Sequence, residues 1–84
     1  MAFNILFSEE SEYELKKLDN KTAERILSKL NQASKNPAHF FERLSGRTES
    51  KLKAGDYRIL ARIHQKEKVI FIQSLGHRKS IYKG

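Results

Sequence analysis

Three segments with strand periodicity follow one another in the second half of the sequence, at about Arg47–Lys53, Tyr57–His64 and Val69–Leu75. The connections Ala54-Gly55-Asp56 and Gln65–Lys68 are short and polar, which is typical of turns between antiparallel neighbours. The third segment is apolar on both faces, so we expect it in the middle of the sheet. The second half therefore predicts an antiparallel sheet.

The first half predicts one strand followed by two helices. Apolar residues alternate with other residues from Phe3 to Phe7, which indicates a short strand at or near an edge. Ser8 is a good N-cap for a first helix ending near Leu18, and Asp19 is placed to cap a second. The second helix has one apolar stripe and ends before proline, with these residues: Ala23, Ile26, Leu27, Leu30, Ala33 and Asn36-Pro37.

The predicted element order is β-α-α-β-β-β. Two helices joined by a short turn form a hairpin that covers one face of a sheet. Phe40, Phe41 and Leu44 are expected in a connecting segment, and Gly46 at the start of the sheet. We predict an α+β fold, a two-layer sandwich with the N-terminal strand and helical hairpin packed on an antiparallel sheet. At 84 residues the chain is expected to form a single domain, residues 1–84.

The positive charge lies entirely in the second half. Residues 43–84 contain eleven Lys or Arg against three acids, while residues 1–42 contain six against seven. Lys51 and Lys53, then Arg58 and Arg62, recur at strand spacing, so each pair projects from one side of its strand. The alternation places these four residues away from the helices. A plain solvated face has the same pattern, but arginine at 58 and 62 favours phosphate, which a guanidinium binds bidentately.

Several classes of function are disfavoured by what the sequence lacks. It has no cysteine, no apolar run near the roughly 20 residues of a membrane span, and no basic prelude to its apolar N-terminus. These features predict a cytoplasmic protein without a membrane partner. His39, His64 and His77 are not at metal-ligand spacing, and the four glycines form no phosphate-binding loop, so we expect neither metal nor cofactor.

A basic, metal-free site suits the cleavage of RNA by its own 2′-hydroxyl. That reaction needs a base for the hydroxyl proton, an acid for the leaving 5′-oxygen, and cations at the phosphorus oxygens. Arginine supplies the cations but is a poor acid. His77 and Arg78 follow Gly76 at the end of the last strand, where we expect them to reach the basic face. Tyr82 adds an aromatic ring and a hydroxyl.

The motifs in this half resemble the RelE/ParE superfamily of toxin–antitoxin toxins. Gly55-Asp56-Tyr57-Arg58-Ile59 follows Lys51-Leu52-Lys53, and Gly76-His77-Arg78 precedes Ile81-Tyr82. The resemblance covers essentially the whole chain, and the ending favours the RelE branch. It implies a RelE-like fold and a ribosome-dependent endoribonuclease that cuts mRNA in the ribosomal A site. It also implies a RelB-like antitoxin as inhibitor.

The resemblance also implies roles for particular residues. Family sites use basic residues of the sheet, an arginine after the hairpin turn, a second arginine after the last strand and a C-terminal tyrosine. These correspond to Lys51, Arg58, Arg78 and Tyr82. A family lysine proposed as general base falls on Glu49 here, so either Lys51 or Glu49 is the base. His77 or Tyr82 assists the leaving group, and the residues expected to hold the RNA backbone are Lys53, Arg62, Arg47 and Lys79.

The resemblance implies two kinds of partner and admits two other functions. The expected partners are mRNA on the ribosome, with 16S rRNA contacts, and the antitoxin in a higher-order complex. The resemblance also admits a ParE-like gyrase inhibitor, which has the same fold without nuclease chemistry. A third alternative is an inactive basic binding module, because Glu49 departs from the family pattern.

Overall fold

The computed structural model describes residues 2–80, which form five strands and three helices. The described elements are β1 (Asn4–Phe7), α1 (Glu9–Lys16), α2 (Asn20–Lys35), α3 (Pro37–Phe40), β2 (Glu42–Arg43), β3 (Ser50–Ala54), β4 (Tyr57–His64) and β5 (Val69–His77). The predicted α+β sandwich is confirmed, with the helices on one face of the sheet. No helix of this part of the chain is long and apolar enough to cross a membrane.

The five strands form one sheet in the order β1-β5-β4-β3-β2. β1 is an edge strand and β5 an interior strand, although β4 holds the middle position that we predicted for β5. β1 pairs parallel with β5, so the prediction of a wholly antiparallel sheet is wrong at this pair. The helices carry the chain across to β2 at the opposite edge of the sheet. Three antiparallel steps, from β2 to β3, β3 to β4 and β4 to β5, then bring it back beside β1 in the same direction.

The two long helices begin at the predicted caps. The Ser8 side chain accepts a hydrogen bond from the Ser11 backbone N–H, and Asp19 accepts one from Thr22. Ser11 is fully buried, and its hydroxyl donates to the Ile72 carbonyl at 3.1 Å. This contact attaches α1 to β5 through a polar group on a helix face with few apolar residues.

The segment between α2 and β3 differs from the prediction. Pro37 ends α2 as expected, but it also starts the single turn α3, because a proline at the first helical position has no N–H that needs a partner. The predicted connecting segment thus contains α3 and the two-residue strand β2. Gly46, with φ +70°, lies in the turn that follows, and β3 begins at Ser50 rather than Arg47.

The core lies between the sheet and the helices. Along β4, Ile59 and Ala61 are fully buried in it, while Arg62 is exposed on the other face. A bulge in β5 pairs Leu60 with Ser74 and Ala61 with Ile72, which leaves one extra residue in β5. The other buried core residues include Phe3, Ile26, Leu30, Ala33, Phe41, Leu52, Ile70, Ile72 and Leu75.

Candidate functional site

The sheet face turned away from the helices, called here the open face, contains the predicted basic residues. On β3, Leu52 and Ala54 are buried while Lys53 is exposed and Lys51 half-buried, as the alternation predicts. Lys53 lies opposite Arg58 across the β3–β4 pair, and Arg58 lies opposite Gly76. Because Gly76 has no side chain, it leaves the surface beside Arg58 uncovered.

Arg58 is held at the β3–β4 turn by backbone carbonyls. The Nη1 of Arg58 donates hydrogen bonds to the carbonyl oxygens of Gly55 and Tyr57, both at 2.9 Å. Gly55 has φ +63°, which glycine adopts at little cost at the first position of a two-residue hairpin loop. The turn therefore fixes the guanidinium through neutral partners, which leaves its positive charge uncompensated.

The segment after β5 is attached to the same turn. The backbone N–H of Arg78 donates to the Asp56 carbonyl at 2.8 Å, and the Arg78 side chain is exposed. Among residues 2–80, no carboxylate forms an ion pair with Lys53, Arg58 or Arg78. These three residues thus gather at one end of the sheet, where they form a cationic cluster without acidic neighbours in ion-pair contact. We call it the hairpin cluster.

Lys51 has an acidic partner that the sequence did not indicate. Its Nζ lies 3.8 Å from Oε1 of Glu42, which pairs with it from β2. The Lys51 side chain is 24% exposed, so it is partly accessible to solvent. A two-residue strand is too short to show periodicity, so no local pattern marks Glu42 as a partner of Lys51.

Glu49 joins two arginines at the other end of the open face. Its carboxylate lies 3.1 Å from Arg47 Nε and 3.9 Å from Arg62 Nη2, and its side chain is 11% exposed. A hydrogen bond from its own backbone N–H lowers the pKa of Glu49, burial opposes this, and the Arg47 and Arg62 charges lower it further. A carboxylate with a lowered pKa is a weaker base, and both of its oxygens have cationic partners.

The lowered pKa predicts a specific pH dependence of stability. Ionised Glu49 stabilises the fold above its ordinary pKa of 4.5, and this contribution disappears as pH falls through the lower folded-state pKa. We expect thermal unfolding midpoints of the wild type to fall more steeply below about pH 4.5 than those of Glu49→Gln. Glu67→Gln, in the exposed β4–β5 turn, is the control and should keep the wild-type slope. Equal slopes for wild type and Glu49→Gln would contradict the assignment.

His77 lies on the helical side of the sheet, so the prediction that it reaches the basic face is wrong. It pairs with Tyr57 across β4 and β5, and the two rings contact edge to face with centroids 5.6 Å apart. Both line a cavity of about 420 Å³ that also includes Glu14 and Leu18. The bulge explains this position, because the extra residue in β5 changes which residues of its C-terminal end face the helices.

The remaining predicted residues have separate positions. Lys79 is exposed, and its backbone N–H donates to Nδ1 of His77 at 3.2 Å. Arg47 and Arg62 are paired with Glu49, away from the hairpin cluster. Tyr82 lies outside the described residues. In residues 2–80, no group of three or more metal-binding side chains occurs.

Comparisons with known proteins connect this geometry with a family. Residues 5–82 match the model described as the ParE toxin of the type II toxin–antitoxin system, parDE. A comparison with curated proteins found no match.

Solved structures of toxins and toxin–antitoxin complexes share the fold. The RelBE2 complex of Mycobacterium tuberculosis is 20% identical, with 93% of each chain covered and a TM-score of 0.83. For the intact RelBE complex of E. coli, the identity is 25%, the coverage 90% of this chain and 96% of that chain, and the TM-score 0.77. The isolated RelE toxin of E. coli is 26% identical, with 90% and 84% covered and a TM-score of 0.78.

Proposed function

Because the chain belongs to the ParE toxin family of type II toxin–antitoxin systems, within the RelE/ParE superfamily, we propose that this toxin is a ribosome-dependent endoribonuclease. Its substrate is mRNA in the ribosomal A site, and it acts in the cytoplasm with contacts to 16S rRNA. The similarity to the isolated RelE toxin of E. coli supports the RelE-like alternative.

The observation that supports this function is the hairpin cluster. Cleavage begins when the 2′-oxygen of the RNA attacks the adjacent phosphorus and loses its proton. The 5′-oxygen then leaves with a proton, so the products are a 2′,3′-cyclic phosphate and a 5′-hydroxyl. Negative charge develops on the phosphorus oxygens between these steps, and fixed cations such as Arg58 and Arg78 stabilise it. Without carboxylates in ion-pair contact, their charge remains available for the phosphate.

We assign the proton transfers to Lys51 and Tyr82. In this proposal Lys51 takes the 2′-hydroxyl proton, and Glu42, whose Oε1 lies 3.8 Å from the Lys51 Nζ, positions its side chain. Glu49 is the weaker candidate for the base, because Arg47 and Arg62 occupy its oxygens and its pKa is lowered. Tyr82 is the acid for the leaving group in this proposal. His77 is less suited to that role, because its ring contacts Tyr57 on the helical side.

The proposed inhibitor is a RelB-like antitoxin. The M. tuberculosis and E. coli structures described above are complexes of RelE-type toxins with their antitoxins. Residues 43–84 have a net charge of +8, which favours an acidic segment that covers the open face. Lys53, Arg62 and Lys79 would then change partners, from antitoxin to RNA backbone, when the antitoxin is lost. The toxin and antitoxin are proposed to form a higher-order complex.

One observation favours a second function. The description of the matching family model names the ParE toxin and the parDE system. This supports a ParE-like gyrase inhibitor without nuclease chemistry. A basic binding module that has lost activity is the third alternative, and it rests on glutamate at position 49.

Induction of the toxin without its partner separates these functions. We expect new transcript ends within translated codons soon after induction, because the proposed cut occurs in the A site. Sequencing of RNA 5′ ends measures this, and a translation inhibitor added before induction serves as the control that should suppress the cuts. Chromosomal DNA breaks with intact mRNA would instead establish the gyrase inhibitor. Growth arrest with neither lesion would favour the binding module.

A further inference from the structure

A groove beside the edge of β3 shares Glu42, Lys51 and Lys53 with the site described above, but its other wall, from α2 and α3, has no role in the function proposed there. It has a volume of about 370 Å³ and lies where β3 meets α2 and α3. β2 pairs with only the first two residues of β3, so the rest of this edge is not covered by a strand in the described chain. The residues that line the groove include Lys29, His39, Phe40, Glu42, Lys51 and Lys53.

Two aromatic rings form one wall of this β3-edge groove. The rings of His39 and Phe40 contact edge to face, with centroids 5.0 Å apart. Phe40 also packs against the core, which fixes its position, while His39 is exposed. The Nζ of Lys29 lies 5.3 Å from the Phe40 ring centroid, at cation–π distance. The groove therefore combines flat rings with a positive charge held next to them.

Cations continue from the groove along α2. Lys21, Arg25 and Lys29 follow each other at intervals of four residues, so they share one flank of the helix. None of the three forms an ion pair within residues 2–80. Arg25 reaches the β3–β4 turn, since its Nη1 lies 3.5 Å from where a Cβ on Gly55 would stand. This flank leads to the turn that holds Arg58.

We propose that the β3-edge groove binds one nucleotide of single-stranded RNA next to the phosphodiester that is cleaved. The base stacks on the exposed ring of His39, which Phe40 supports edge to face, and Lys29 and Lys53 hold its phosphate. The groove is continuous with the open face because Lys53 belongs to both. Stacking against aromatic rings selects a nucleobase, which lysines alone do not distinguish from other polyanions. This inference rests on the RNA substrate proposed above.

The test is an NMR titration of the full chain with a short single-stranded RNA that is 2′-O-methylated throughout. This probe cannot be cleaved, so binding is measured apart from catalysis. We expect the largest shifts at the amides of Lys29, His39, Phe40 and Lys53. A strand of the same length without bases should bind about tenfold more weakly, because it cannot stack.

Three variants assign the contact to the groove. His39→Ala should weaken binding of the probe about tenfold, since it removes the ring on which the base stacks. Phe40→Leu should weaken binding less, since it removes only the edge-to-face support of that ring. Phe40→Leu keeps most of the apolar volume, and thermal unfolding checks that it folds. Lys29→Ala should weaken binding several-fold, whereas Lys35→Ala, an exposed lysine on the same helix outside the groove, should bind like the wild type.

Three results would overturn the proposal that the groove binds a nucleotide. Shifts confined to the open face around Arg58 would place the RNA elsewhere, and equal binding of the strand without bases would show simple charge attraction. An acidic peptide of equal charge that moves the same amides as strongly would identify a protein partner instead. If any of these three results is obtained while the wild-type toxin still cleaves transcripts in cells, the groove proposal alone is rejected. If the wild-type toxin does not cleave transcripts in cells, the proposed nuclease function is rejected.

Discussion

Replacing Arg58 with alanine is expected to lower the rate of mRNA cleavage by about 10²–10³-fold, the usual effect of losing one fixed group that stabilises transition-state charge. The residue suits this role because carbonyl oxygens, rather than carboxylates, hold its guanidinium at 2.9 Å. Its orientation is thus fixed before RNA binds, and its charge is not neutralised. The rate is measured as single-turnover cleavage of mRNA on programmed ribosomes, and growth after induction should recover in parallel.

Arg62→Ala is the matched control for this substitution. Arg62 lies on the same strand and on the same face, but its guanidinium is paired with Glu49. We expect its loss to slow cleavage by less than about tenfold, which corresponds to a weakened backbone contact. Arg58→Lys should fall between the two, because it keeps the charge without the bidentate fork.

Arg78→Ala should resemble Arg58→Ala, since its backbone is attached to the same turn through Asp56. Growth inhibition by both alanine variants at the wild-type level would show that the hairpin cluster is not the catalytic site. A loss of activity in Arg62→Ala as large as that in Arg58→Ala would indicate that the catalytic site lies closer to Glu49.

Replacing Ile26 with alanine is expected to lower the free energy of unfolding by about 2–5 kcal/mol, the range for large-to-small changes in a packed core. Ile26 is fully buried where α2 packs on the sheet. A chain of 84 residues has a total stability of about 4–13 kcal/mol by the usual scaling, so this one change removes a large part of it. Urea unfolding followed by circular dichroism measures the difference.

The neighbouring Leu27 provides the control. It belongs to the same predicted apolar stripe, but 43% of it is exposed. We expect Leu27→Ala to cost less than about 1 kcal/mol, because a large share of the residue already contacts water and the change leaves no enclosed cavity. Equal losses for the two variants would mean that Leu27 is covered in solution, which a concentration dependence of the unfolding midpoint would reveal.

These two neighbours show how far local patterns could predict the fold. Helical periodicity identified the stripe on α2, and residue type identified the caps at Ser8 and Asp19. Both kinds of feature depend on residues only a few positions apart. The exposure of Leu27 depends on which part of the stripe the sheet covers. That information is not local, and the sequence pattern did not contain it.

The candidate site divides in the same way. Strand alternation was sufficient to place Lys53, Arg58 and Arg62 on one face. It was not sufficient for His77, because the bulge in β5 changes which residues face the helices at the end of that strand. Its partner Tyr57 comes from a different strand, and no spacing along the chain encodes that contact.

By itself, the sequence determined the six longer elements, their approximate boundaries and the basic half of the chain, since periodicity, caps and charge act over short distances. It did not indicate the short elements α3 and β2. Only the tertiary structure decided that β1 pairs parallel with β5, that Glu42 lies beside Lys51, and that Glu49 joins two arginines. It also brought α3 against the edge of β3 to form a groove. Each of these depends on strand order and register, which result from packing of the whole chain rather than from any one segment.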